Sequence, residues 1–295
     1  MSKTPKYVLM TAAKDEADFI GLVIESVAKQ TLKPIQYVIV DDGSKDSTEA
    51  IIRQWVAKTD FVRLKTKAQT GARNFGSKVV ALKAAQEEIQ GLDFEFIGCL
   101  DADITLPPDY YESIIRRMRE NPKLGIASGL CLQKSGGDWI RIMTNRRHVP
   151  GAMQFFRRAC FEQIGGYERV TVAGVDSLAE IKARMRGWET RSFEDIFAYH
   201  HKPIGSATGG KLKTAYRRGM TDYLLGKHPL YVLAKCVRRV AARPYFADSA
   251  AHLSGFFSLW LKRKPMDVSP EVCRYVRHEG LQALKHTLCH GQRPG

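Results

Sequence analysis

Residues 96–103, Phe96-Ile97-Gly98-Cys99-Leu100-Asp101-Ala102-Asp103, decide how the rest of the chain is read. An apolar run beginning at Phe94 ends in two carboxylates one residue apart. Pro107-Pro108 then breaks the chain ahead of a helix-like segment. Apolar runs this short belong to strands buried on both faces of a sheet. Acids at the carboxyl end of such a strand lie where open α/β sheets bind ligands. Two neighbouring carboxylates repel unless a cation separates them, and a divalent ion is the natural candidate. A polar turn that only closes the strand is the alternative.

On either side of this stretch, strands and helices alternate. Residues 7–10, 36–40, 61–64 and 124–131 have strand character, and residues 15–30, 71–88 and 108–119 have helix character. In 15–30, Phe19, Ile20, Val23 and Val27 recur at spacings of three and four, which makes one apolar helix face. Ser44, Asp46 and Ser47 are good N-caps for a helix running to about Ala57. This alternation means βαβ units and a mostly parallel sheet. Residues 132–200 are less regular. They read as a turn at 135–138, a strand at 150–156, a helix at 158–164 stopped by Gly165-Gly166, a helix from Ser177 and an extended segment at 189–199.

A chain of 295 residues, 44% apolar and 26% charged, can bury a large core as one domain or as a domain with an appendage. Its polar opening leads straight into a strand. No stretch is long enough to cross a bilayer, so a cytoplasmic protein is expected. Six scattered cysteines suit reduced thiols better than a zinc site or a disulfide framework. The net charge of +15 is lopsided: from Lys202 onward, 17 Lys+Arg face 5 Asp+Glu. Such a field calls for an anionic partner, a membrane surface or a nucleic acid.

A second pair of acids, Asp41-Asp42, ends the strand at 36–40. In a parallel sheet, Asp41, Asp42, Asp101 and Asp103 all fall on one edge and can line one crevice. Their carboxylates can accept hydrogen bonds from a base imide or from ribose hydroxyls, and can hold a metal that binds phosphates. Arg73 adds a fork suited to a phosphate oxygen. Together these form a nucleoside-diphosphate site. No G-x-G-x-x-G follows the first strand and no G-x-x-x-x-G-K-[ST] occurs, which weighs against a dinucleotide dehydrogenase and a P-loop NTPase.

At these residues the chain resembles the inverting glycosyltransferases of family 2, which have the GT-A nucleotide-diphospho-sugar transferase fold. Val38-Ile39-Val40-Asp41-Asp42-Gly43-Ser44-Lys45-Asp46-Ser47-Thr48 is similar to the family's V-D-D-G-S-x-D-x-T and is the most specific match. Thr11-Ala12-Ala13-Lys14-Asp15-Glu16 resembles its opening Pro-x-Tyr-Asn-Glu, with Pro, Tyr and Asn replaced. Gly71-Ala72-Arg73-Asn74-Phe75-Gly76 resembles G-x-x-x-A-R-N-x-G, and Asp101-Ala102-Asp103 the metal-binding D-x-D. Gly165-Gly166-Tyr167 through Asp176 to Gly187-Trp188 resembles the acceptor-side G-G-[FY]…E-D…G-[WY], with Val175 where the family has Glu.

The resemblance implies a catalytic domain over residues 1–205. Its nucleotide-sugar half runs to about 131 and its acceptor half from about 132. A basic amphipathic helical region would follow over 206–295. It implies a metal-dependent sugar transfer from a UDP-, GDP- or dTDP-sugar to a hydroxyl acceptor, with Mg²⁺ or Mn²⁺ as cofactor. Ala12, Asp15, Glu16, Asp41 and Arg73 would belong to the donor site. Asp42 would contact the base, Asp101 the ribose or sugar, and Asp103 the metal. Asp176 would be the general base, with Glu180 in reserve. His200 would stand near the metal or diphosphate, and Lys211 would belong to a basic loop closing over the diphosphate.

In the basic tail, Leu230, Tyr231, Leu233, Ala234 and Val237 fit one apolar helix face beside Lys235, Arg238 and Arg239. Leu253, Phe256, Phe257, Trp260 and Leu261 group ahead of Lys262-Arg263-Lys264. Basic amphipathic helices carrying Trp and Phe suit anionic lipid surfaces. A peripheral site on the inner membrane face is therefore expected ahead of nucleic acid, and together with that charge the family resemblance implies a lipid-linked saccharide acceptor. The alternatives are a helical hairpin packed on the domain, a sugar-phosphate nucleotidyltransferase, or a non-catalytic anionic-surface binder on a degenerate scaffold.

Overall fold

A computed structural model of the chain describes residues 4–67, 75–135, 137–142, 146–202, 210–239 and 246–290. It divides into two compact units, Met1–Arg169 with Val175–Pro203, and Val170–Gly174 with Ile204–Gly295.

The first unit is built on a nine-stranded sheet of order β3-β2-β1-β4-β8-β6-β9-β5, with β7 paired to β6. The strands are β1 (Tyr7–Ala13), β2 (Gln36–Asp41), β3 (Val62–Thr66), β4 (Phe96–Cys99), β5 (Ile104–Thr105), β6 (Leu124–Ser135), β7 (Asp138–Arg141), β8 (Phe155–Arg157) and β9 (Glu189–His200). The ladder is parallel across β3, β2, β1 and β4. It turns antiparallel where β8 joins β4 and β6, and parallel again between β6 and β9. The central strands are buried on both faces, as their unbroken apolar runs require. On one face Ile20, Val23, Ile24, Ile114 and Met118 cover them, and on the other Val79, Leu82, Ala85 and Phe161.

The helices of this unit are α1 (Ile20–Ala28), α2 (Thr48–Lys58), α3 (Phe75–Glu88), α4 (Tyr110–Glu120), α5 (Arg158–Ile164) and α6 (Val175–Met185). The helix expected over 15–30 begins only at Ile20. The preceding backbone is claimed by the β2–α2 loop: Asp15, Glu16 and Ala17 donate their N–H groups to Ser44, Thr48 and Asp46. Two strands go unread in the sequence, β5 and β7. One has two residues, and the other is exposed along its length, so neither carries an apolar pattern.

The second unit is helical: α7 (Lys211–Leu224), α8 (Pro229–Arg239), α9 (Phe246–Leu261) and α10 (Pro270–His290). Helices α7 and α9 cross closely, because a Cβ on Gly219 would meet His252 O at 1.9 Å and one on Gly255 would meet Tyr216 O at 2.0 Å. Its small core comprises Tyr223, Leu224, Val232, Cys236 and Phe256. This corrects the tail reading. Phe256 is fully buried, Leu253 and Phe257 pack against that core, and Lys235 bonds Asp222. Of the second apolar group only Trp260 and Leu261 stay exposed. Cys99, Cys131, Cys160, Cys236 and Cys273 are free and buried. Among the described residues no helix is long and apolar enough to cross a membrane.

Candidate active site

The carboxyl ends of β1, β2 and β4 share one sheet edge, since Ala13 pairs with Asp41 and Met10 with Cys99. The acids that follow β2 and β4 therefore flank β1, with two strand spacings (~10 Å) between their strands. Thr11 ties this edge together, donating to Leu100 O at 2.6 Å and meeting the Tyr37 hydroxyl at 2.8 Å.

Asp41 folds the loop after β2. Its Oδ1 accepts the Ser44 N–H at 3.1 Å and the Ser44 hydroxyl at 2.5 Å. Gly43 supplies the positive φ of 74° at the turn, a conformation that costs glycine least. Asp42 donates its N–H to Ala13 O. Its side chain is buried, yet among the described residues Oδ1 has no hydrogen-bond partner. Such an atom costs about 1–3 kcal/mol. Ala12 is half-buried beside it. Asp15 and Glu16 are spent on the protein. Asp15 Oδ1 accepts the Lys45 N–H at 2.8 Å, and buried Glu16 is paired with Lys202. The Asp46 carboxyl stays below its ordinary range: desolvation opposes this, but the Thr48 hydroxyl and nearby backbone N–H groups outweigh it. Arg73 lies outside the described residues.

Past β4, the Asp101 N–H donates to Ala152 O, and Asp101 Oδ1 lies 2.5 Å from Lys78 Nζ on α3. Asp103 Oδ2 lies 3.2 Å from His200 Nε2, where β9 pairs with β5. Burial alone would favour neutral forms of both. The pairing outweighs it, holding Asp103 below the usual carboxylate range and pushing His200 up to about 10. The Asp103 carboxylate suits Mg²⁺ or Mn²⁺, and the His200 ring could join it as a ligand only as the neutral imidazole, so metal binding there would release a proton. Among the described residues no group of three or more His, Cys, Asp or Glu side chains forms a closed metal site.

Asp176 lies in the first turn of α6, inside the helix rather than capping it. Gly151 packs directly on it: a Cβ there would lie 2.8 Å from Asp176 Cβ and 2.9 Å from Oδ2. The same 150–154 segment accepts the N–H groups of Cys99 and Asp101, so one stretch of backbone fixes both the β4 acids and Asp176. Buried Gln154 spans the junction. Its amide reaches Val149 O at 3.0 Å and Asp176 O at 3.4 Å, and its carbonyl accepts the Tyr167 hydroxyl at 2.7 Å.

Glu180 is corrected from reserve base to framework. It is buried, accepts the Val149 N–H at 2.9 Å and stands 3.0 Å from His148 Nδ1. Lys211 opens α7 in the second unit and is exposed. The sequence reading missed Lys78 altogether; only its place one turn into the helix after the Arg73 segment could have signalled it.

Comparison with known proteins agrees with this architecture. A family model described as glycosyl transferase family 2 matches residues 8–168. The chain belongs to that family, and its fold is GT-A. It is 28% identical over 120 residues to the poly-beta-1,6-N-acetyl-D-glucosamine synthase of Staphylococcus epidermidis, covering 41% of this chain and 27% of that protein. It is 32% identical over 126 residues to the putative glycosyltransferase EpsH of Bacillus subtilis, covering 43% and 34%. The matches thus span well under half of these relatives' own lengths. Among solved structures, the mannosyltransferase PcManGT of Pyrobaculum calidifontis, in complex with GDP-Man and Mn²⁺, aligns with a TM-score of 0.58 at 16% identity, over 99% of this chain and 78% of that one. S. aureus TarS 1-349 in complex with UDP-GlcNAc aligns at 0.53 and 17% identity, over 92% and 78%.

Proposed function

We propose that the protein transfers a sugar from a nucleoside-diphosphate sugar to an acceptor hydroxyl, with inversion at the anomeric carbon. The observation that carries this reading is the buried Oδ1 of Asp42, without a partner among the described residues, on the same sheet edge as Asp101 and Asp103. A base imide N–H donated to that oxygen offsets the cost of burying it. Asp103 and His200 would hold Mg²⁺ or Mn²⁺, which when bound supplies positive charge for the departing diphosphate. Asp176, held by Gly151 and helix α6, takes the proton of the acceptor hydroxyl as its oxygen attacks the anomeric carbon. One displacement on the face opposite the diphosphate inverts the centre. PcManGT with GDP-Man and TarS with UDP-GlcNAc lend support to a nucleotide-sugar donor.

The acceptor is a saccharide on a lipid carrier, met at the inner face of the cell membrane in surface polysaccharide assembly. Relatives named for polysaccharide synthesis support this. So do the exposed Leu230, Leu233 and Val237 of α8, beside exposed Arg238. The test is a hydrolysis and transfer screen across UDP-, GDP- and dTDP-sugars with Mn²⁺, Mg²⁺ or EDTA. One donor class should be consumed only with metal, and Asp176→Asn should cut its transfer. If no nucleotide sugar is consumed and none raises the melting temperature, the proposal is wrong.

A further inference from the structure

Lys78 is a cation that no motif announces, at a point where three acids meet. Its Nζ lies 2.5 Å from Asp101 Oδ1, and both side chains keep about a third of their surface exposed, 37% and 33%. Desolvation favours the free amine, yet the ammonium is held above its ordinary range by Asp101, with Cys99 and Asp176 adding to the field. One side chain on α3 thus lies within electrostatic reach of the residue after β4, the acid beside His200 and the acid at the start of α6.

A half-exposed Lys–Asp pair adds little stability, because water screens the attraction and both chains lose rotamer freedom. Fold stability therefore does not explain it. The charge count of the site does. Asp42, Asp101 and Asp103 follow strands on one sheet edge, Asp176 packs on the 150–154 segment that bonds Asp101, and a diphosphate would add more negative charge there. Among the described residues the lysines set against them are Lys78 and Lys202, and Lys202 is already paired with Glu16. An ammonium on a flexible stem with three donors can bond a carboxylate and a phosphate oxygen together.

We infer that Lys78 is a donor-binding residue that receives the diphosphate of the nucleotide while keeping Asp101 occupied, so that Asp103 and His200 are left as the protein's metal ligands. The inference rests on the proposed sugar-nucleotide function of the same site. Binding then needs two cationic contributions, one from the resident lysine and one from the metal. The lysine's share should persist when the metal is removed.

The experiment is calorimetric titration of the full chain with UDP, GDP and dTDP, and with the matching nucleosides, in Mn²⁺ and in EDTA. Wild type is compared with Lys78→Met and Lys78→Arg, and melting temperatures serve as the folding control. Lys78→Met should lose at least tenfold in affinity for the bound diphosphate in both conditions, keep its nucleoside affinity, and melt near wild type. Lys78→Arg should recover most of the loss. Mn²⁺ binding without nucleotide, followed by electron paramagnetic resonance, should be equal or tighter in Lys78→Met, since Asp101 is freed. Unchanged diphosphate affinity in Lys78→Met overturns the inference and leaves the glycosyltransferase reading standing. An equal loss for nucleoside and diphosphate overturns it as well. If wild type binds none of the three diphosphates, both readings fall together.

Discussion

Asp103 Oδ2 and His200 Nε2 stand 3.2 Å apart although 97 residues separate them in the chain. The contact exists because β5, which begins immediately after Asp103, pairs with the last residues of β9. If this pair seats the metal, Asp103→Asn and His200→Gln should each weaken Mn²⁺ affinity at least about tenfold. Nucleotide-induced thermal stabilisation would then become insensitive to EDTA. A full metal-dependent gain in either variant would rule the seat out.

Asp42 leads to an opposite pair of effects. Among the described residues no group bonds its buried Oδ1, so Asp42→Ala removes an unsatisfied atom and should leave the melting temperature of the free protein at or above wild type. Nucleotide affinity should fall by about 1–3 kcal/mol, the usual cost of a lost partner for a buried polar group. A drop in stability with unchanged affinity would make the residue structural.

Gly151 sets the position of Asp176. Alanine there would place a carbon 2.8 Å from Asp176 Cβ, and that carboxylate must move. Steady-state kinetics should show kcat reduced with the donor KM nearly unchanged, and Asp176→Asn should cost roughly 10²–10⁴-fold, the range for a general base. Equal turnover in Gly151→Ala would show that the proton goes elsewhere.

In the second unit, buried Asp222 bonds Lys227 at 2.6 Å, Lys235 at 2.9 Å and His252 at 2.8 Å. Burial works against its charge, but the two ammonium groups and the imidazole hold its carboxyl well below the ordinary range. A depressed folded-state pKa gives stability that is present above the unfolded carboxylate value of about 4 and is lost as pH falls through the folded value. Asp222→Asn should therefore cost about 3–5 kcal/mol near neutrality, as when one partner of a buried ion pair is removed. Denaturant unfolding of both forms should show the gap closing below about pH 4. A gap independent of pH would assign the loss to packing.

The exposed stripe of Leu230, Leu233 and Val237 on α8 bears on where the enzyme works. Changing all three to Glu in the full chain should abolish co-sedimentation with phosphatidylglycerol liposomes and leave donor hydrolysis in solution intact. Undiminished sedimentation would remove the membrane from the account.

Much of this molecule was legible because its signals are local. Asp41-Asp42 and Asp101-Ala102-Asp103 each end an apolar strand, and parallel strands put their carboxyl ends on one edge whatever the rest of the chain does. What stayed hidden was decided by which side chain gets a partner. The apolar and basic residues of α8 and α9 have one pattern whether they face lipid or a core, and packing assigned Phe256 to the interior and Leu233 to the surface. Glu180 and Asp176 sit one helical turn apart, yet His148 and the Val149 N–H claim only the first.

The sequence by itself determined the alternation of the longer apolar strands with helices and the acids at their ends, since periodicity and strand-end chemistry need no distant contact. Only the tertiary structure brought His200 to Asp103, Lys78 to Asp101 and Gly151 to Asp176. Those pairings join residues separated by tens of positions, and their geometry comes from how the sheet curls and where each helix comes to rest.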